Sequence, residues 1–151
     1  MSHEASRFDL FPQELRNQQL WVNWRAMPRD GRVSKLPFTP DGSPAESNNP
    51  ETWSSFNTVL EALPRFDGIG CMIVEPWIGI DFDHVCKNFD VTTLEPWCLE
   101  AITRLNSYTE FSPSGEGLHV WCRGKVPQSR RCGRVEIYQG GRYFTVSGRC
   151  L

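Results

Sequence analysis

The 151-residue chain lacks any apolar run approaching the roughly 20 residues that cross a bilayer as a helix, so no membrane span is expected. It also has little net charge, because 16 Lys and Arg against 18 Asp and Glu leave −2. That excludes a global positive field, and a nucleic-acid role would need a local basic groove instead. Arg123, Lys125, Arg130, Arg131, Arg134, Arg142 and Arg149 supply such a local excess near the C-terminal end. There is no Cys-x-x-Cys pair, although cysteines stand at 71, 86, 98, 122, 132 and 150. The opening "MSHEASRFDLF" is polar and mixed in charge, unlike a secretory leader, so reduced thiols in a cytoplasmic setting are the expectation. His119, Cys122 and Cys132 could be read as zinc ligands, but their spacing lacks the usual paired knuckle. What the chain does have is 39% hydrophobic residues and six tryptophans, a composition that builds a globular core.

Along the chain, residues 1–18 read as a lead-in with a short helix in "PQELRNQ", Pro12 at its first turn. "LWVNWRAM" (20–27) is rich in strand formers, and "RDGR" (29–32) supplies a turn with Gly31 at a positive φ. "NPETWSSFNTVLEAL" (49–63) reads as the clearest helix. Asn49 would cap it, Pro50 open it and Pro64 stop it, and Trp53, Phe56, Val59, Leu60 and Leu63 form its apolar stripe. "GIGCMIV" (68–74) and "WIGIDFDHV" (77–85), separated by Glu75 and Pro76, read as a hairpin. A second helix is expected within 92–106, starting at a threonine cap or afresh near Pro96. Strands follow in 107–124, 133–141 and 142–148, joined by a Gly/Ser loop, a basic loop and a Gly-Gly turn. Helices between strand pairs imply an α+β fold with a mostly antiparallel sheet.

Three carboxylates stand out. In "GIDFDHV" (79–85) Asp81 and Asp83 alternate with Ile80 and Phe82, which puts both acids on one strand face, roughly 6–7 Å apart. In "RVEIYQ" Glu136 stands between Val135 and Ile137 in the same alternation. Exposed charges on a wet face are one reading. The other is that the three relieve their repulsion by sharing divalent cations, and all-oxygen ligands favour Mg²⁺ or Mn²⁺. "SPSGEGLHVW" (112–121) adds Ser114, Gly115 and Gly117, whose turn could gather backbone N–H groups around a phosphate, or could simply lead into a strand carrying a half-buried His119. Lys35 and Arg142 are ambiguous between solvated charges and phosphate ligands.

Taken together, "GIDFDHV", "YTEFSPSGEGLHVWCRGKVP" and "VEIYQGGRYFTVSG" resemble the primase-polymerase domain of the archaeo-eukaryotic primase superfamily, phage and plasmid branch. "LWVNWRAMPRDGRVSKLPFTPDGSPAESNNPETWSSF" resembles the region ahead of it, so the likeness runs from about residue 20 to 149. The resemblance implies an RRM-like antiparallel catalytic sheet (about 68–151) with an N-terminal α/β module (about 1–67) packed against it as one domain, and a cleft between them for template and nucleotide. It implies that Asp81, Asp83 and Glu136 hold two Mg²⁺ or Mn²⁺ ions and that His119 contacts the phosphates of the incoming nucleotide. Ser114, Gly115, Gly117, Arg142 and Lys35 become candidates for nucleotide or template contact. Two departures appear: Gly117 stands where the branch usually has a serine two places before the histidine, and Glu136 where it often has aspartate. The implied function is template-dependent nucleotidyl transfer, as a DNA primase, a DNA polymerase or both, acting on nucleoside triphosphates and a single-stranded DNA template. A fused or associated helicase, and more chain after "FTVSG", would be expected. Rival readings are a non-catalytic single-stranded nucleic-acid-binding module stacking bases on Trp121, Tyr138 and Tyr143, and a metal-dependent nuclease using the same acids.

Overall fold

The computed structural model describes residues 7–151. The fold is α+β with two antiparallel sheets, as the alternation of strands and short helices implied. The helices are α1 (Gln13–Arg16), α2 (Phe56–Ala62) and α3 (Pro96–Leu105). The strands are β1 (Trp21–Arg29), β2 (Arg32–Phe38), β3 (Gly68–Met72), β4 (Trp77–Phe82), β5 (Tyr108–Phe111), β6 (Leu118–Arg123), β7 (Arg130–Cys132), β8 (Val135–Tyr138) and β9 (Tyr143–Val146). No helix among the described residues is long and apolar enough to cross a membrane.

Two compact units divide the chain, and neither is continuous. Among the described residues, one comprises 11–72 and 141–146, the other 7–10, 73–140 and 147–151. The first unit carries a four-stranded sheet in the order β2-β1-β3-β9. Its β1–β2 hairpin turns at Asp30 (φ 51°) and Gly31 (φ 76°), the paired left-handed residues of a tight two-residue connection. Trp21 anchors the core, edge-on to Phe11 and Phe56 at 5.2 and 4.9 Å, with its Nε1–H donated to the Leu15 carbonyl. Gly68 is required beside Trp24, because a Cβ there would lie 2.5 Å from the indole ring.

Two sequence expectations give way here. Residues 49–63 are not one helix. Asn49 caps a 3₁₀ turn, Pro50–Thr52, and the α-helix starts only at Phe56, capped by the Ser55 hydroxyl, which accepts from the Thr58 N–H. Between them Ser54 exchanges both backbone hydrogen bonds with Trp21, and that pairing takes the N–H and C=O a continuous helix would have used. The expected hairpin of 68–74 with 77–85 is also absent. β3 is flanked by β1 and β9, and β4 by β6 and β8, so both edges of each strand are already filled. Their near-continuous burial, five of five positions in β3, is the signature of central strands rather than of a hairpin with a wet face.

The second unit holds a five-stranded sheet in the order β5-β6-β4-β8-β7. α3 begins at Pro96, and Asn106 ends it in the left-handed conformation (φ 46°). Beneath the sheet, Ile78, Ile80, Phe82, Leu118, Val120 and Cys122 pack with Val85, Cys86, Leu94, Cys98 and Phe111, and Val135 and Ile137 join them from β8. Period-two alternation therefore turns the odd-numbered positions of β4 and β6, and the even-numbered ones of β8, to the other face.

A carboxylate and histidine row across the five-stranded sheet

Strand register lines up the residues that alternation turns away from the core. Glu110 pairs with His119, His119 with Asp81, Asp81 with Glu136, and Glu136 with Arg131. One row thus crosses all five strands. Directly opposed residues on one face have Cβ atoms about 4.5–5.5 Å apart, close enough for each to set its neighbour's electrostatics. Asp83 lies one residue beyond β4, where its N–H donates to the Arg134 carbonyl at 2.8 Å and continues the pairing with the β8 side.

His119 is nearly buried and sits between two acids. Its Nε2 is 3.6 Å from Asp81 Oδ1 and its Nδ1 is 3.8 Å from Glu110 Oε2. Glu110 is fully buried, and it accepts from the Ser147 N–H (2.7 Å), the Gly148 N–H (3.2 Å) and the Tyr108 hydroxyl (2.8 Å). Burial pushes its carboxyl up to about 7, against the pull of those donors. Burial, reinforced by the neighbouring Glu110, likewise raises the Tyr108 phenol.

At the other end, Arg131 bridges two acids. Its Nη2 lies 3.1 Å from Asp83 Oδ2 and its Nη1 3.4 Å from Glu136 Oε1. Among the described residues no three His, Cys, Asp or Glu side chains form a ready metal-ligating group. The donor chemistry still fits a hard dication: the donors are carboxylate oxygens from β4 and β8, and two of the three carboxylates already converge on one cationic group, the Arg131 guanidinium. The zinc alternative fails on geometry. His119 lies on the row face, whereas Cys122, three residues on, belongs to the core beneath the sheet. All six cysteines are free thiols, and burial pushes Cys98 up to about 12.

The Gly/Ser loop between β5 and β6 is bound to itself. The Gly115 N–H donates to the Ser112 carbonyl, the Glu116 N–H to Ser114 Oγ and the Gly117 N–H to Ser112 Oγ. Ser114 therefore shapes the loop through its hydroxyl, and Gly115 through an N–H already engaged. At Gly117 a Cβ would lie 2.5 Å from the Phe82 carbonyl, which accounts for glycine where the branch usually has serine. The same Cβ position is 3.2 Å from Ser112 Oγ, so a hydroxyl stands beside that position after all.

Lys35 and Arg142 lie in the four-stranded unit. The Lys35 Nζ sits 5.9 Å over the Trp24 ring, and its carbonyl accepts from the Tyr143 hydroxyl. Arg142 lines an open hollow of about 690 Å³ with Pro37, Ser47, Asn48 and Tyr143. Trp121, the first of the expected stacking residues, is fully buried and offers no platform to a base. Three residues of the site escaped the sequence reading. Glu110 was legible only as the alternating partner of Tyr108 in "YTEF", Ser112 as one serine among three, and Arg131 as one arginine in a basic loop.

The class is thus an antiparallel α+β domain whose central strands present acids and a histidine in one row. No family model matches the chain. A curated protein named DNA primase-polymerase, from Nitratiruptor phage NrS-1, is 33% identical to it over 140 residues, covering 85% of this chain and 19% of that protein. This homologue supports a phage-type primase-polymerase domain, and the resemblance read from the motifs is borne out. The chain spans about a fifth of the length of the curated relative it matches.

Proposed function

We propose that this chain is a nucleotidyl-transferring domain that makes or extends a DNA-templated strand from nucleoside triphosphates. The observation carrying this is the register that sets His119, Asp81 and Glu136 side by side on three adjacent strands. The phage primase-polymerase similarity supports the same reading.

Asp81, Asp83 and Glu136 would hold divalent ions, Mg²⁺ or Mn²⁺, which when bound supply the positive charge that activates a 3′-hydroxyl and neutralises the departing pyrophosphate. The chain's own contribution is positioning. β4 and β8 carry two of the acids on paired strands, and the third follows directly on β4. Holding three carboxylates together costs self-repulsion that a rigid sheet absorbs in advance. His119, held by β6 between Glu110 and Asp81, offers an imidazole N–H to a phosphate oxygen of the nucleotide. Glu110, 3.8 Å from the ring's Nδ1, sets the electrostatic environment on that side of it. In-line attack of the 3′-hydroxyl on the α-phosphorus then needs mainly alignment and charge neutralisation.

The test is Mg²⁺- or Mn²⁺-dependent synthesis on single-stranded DNA, with and without a primer. Synthesis that requires divalent metal and disappears in Asp81→Ala plus Asp83→Ala supports the assignment. Synthesis unchanged by that double substitution ends it. Degradation of the template without nucleoside triphosphates would instead identify a nuclease.

A further inference from the structure

Arg131 has no part in the assignment above, yet its guanidinium contacts two of the three acids assigned to the metal. Asp83 and Glu136 belong to different stretches of chain, and the guanidinium reaches both, at 3.1 and 3.4 Å. Glu136 is only 13% exposed and faces Asp81 directly across the β4–β8 pair, so its charge is poorly screened and opposed by a like charge. Arg131 itself is 59% exposed, on the three-residue edge strand β7, and is joined to β8 by a turn whose Gly133 has a φ of 60°. A long, exposed side chain at a sheet edge can swing away without disturbing the core, whereas the acids it bridges cannot follow it.

We propose that Arg131 is a built-in counter-cation for the row, occupying oxygens of Asp83 and Glu136 that a divalent ion also needs, so that metal entry and the Arg131 bridges exclude one another. This rests on the metal role given above to Asp81, Asp83 and Glu136. The arginine keeps the acids from repelling each other when no ion is bound, and it sets a threshold that an ion must overcome. Arginine suits this role because its charge persists at any physiological pH and its planar fork spans two acceptors. The bridges are solvent-accessible, so they are worth little individually. Two of them competing with an ion should weaken its apparent affinity by roughly three- to tenfold.

The experiment is a Mn²⁺ titration of the intact chain, followed by the paramagnetic signal of free ion, for wild type, Arg131→Gln and Asp81→Ala. The expected result is that Arg131→Gln binds Mn²⁺ three- to tenfold more tightly than wild type. Its ion-free form should melt at lower temperature, and saturating Mn²⁺ should remove that deficit. Equal or weaker binding by Arg131→Gln, with binding still lost in Asp81→Ala, overturns the arginine's role and leaves the metal site standing. Absence of Mn²⁺ binding by wild type overturns both. Should Arg131→Gln not fold, the wild-type Arg131 Nε–H resonance serves: Mg²⁺ should shift it towards that of a free guanidinium, and an unmoved signal at saturating Mg²⁺ refutes the exchange.

Discussion

Asp81 and Glu136 are directly opposed across the antiparallel β4–β8 pair, two acids on one face of a sheet where like charges destabilise. Their neighbours on either side are His119, 3.6 Å from Asp81, and Arg131, 3.4 Å from Glu136, and the guanidinium's positive charge offsets part of that repulsion.

Glu136→Gln keeps the shape of the row and removes one charge. Template-directed synthesis should fall by about 10²–10³-fold, the size seen when one preorganised charge-stabilising group is lost. Glu136→Asp should retain more activity, since only the ligand arm is shortened. Primer extension at saturating Mn²⁺ measures both, and a glutamine variant within a few-fold of wild type would remove Glu136 from the site.

Glu110 makes stability depend on pH. Burial raises its carboxyl from the ordinary 4.5 to about 7, so between those values the folded chain binds the proton more tightly than the unfolded one. Its stabilising contribution is complete below the unfolded value and is lost as pH rises to about 7, by roughly 3 kcal/mol at most. Glu110→Gln should flatten this part of the curve of urea-unfolding free energy against pH. An equally steep decline in the variant would assign the dependence to other groups.

Gly117→Ala should destabilise the chain by about 1–3 kcal/mol, because the added carbon meets the Phe82 carbonyl and neither strand can retreat without losing its pairing. Differential scanning calorimetry reads this directly. A melting temperature at or above wild type would show that the loop yields.

The break between Asn49 and Ser55 separates two caps. Ser55→Ala removes the acceptor for the Thr58 N–H at the start of α2 and should cost about 1 kcal/mol. Asn49→Ala, which caps only a three-residue 3₁₀ turn, should cost less. The order would reverse if 49–63 behaved as one helix in solution, and urea unfolding of the two variants distinguishes the cases.

Local chemistry was readable wherever it depended on residues a few places apart. The β1–β2 turn at Asp30-Gly31 and the alternation that separates Asp81 from Ile80 and Phe82 are properties of short segments, and Pro96 was one of the two starts left open for α3. The errors fell where a distant strand competes for the same backbone groups. Trp21 captured Ser54 and split the expected helix, and β1 and β9 filled the edges of β3 and denied it a hairpin with β4.

The same division holds for the candidate site. The amino-acid order by itself decided which residues could carry the chemistry, because period-two spacing within a strand assigns each side chain to a face. It could not say which strand lies beside which, or in what register, since those depend on pairings between segments distant in the chain, such as Asp81 with Glu136 and Asp83 with Arg131. Only the tertiary structure set Glu110 behind His119 and Arg131 beside Glu136. Side chains from separate strands acquire a common electrostatic environment once hydrogen-bonded ladders hold them within a few ångströms.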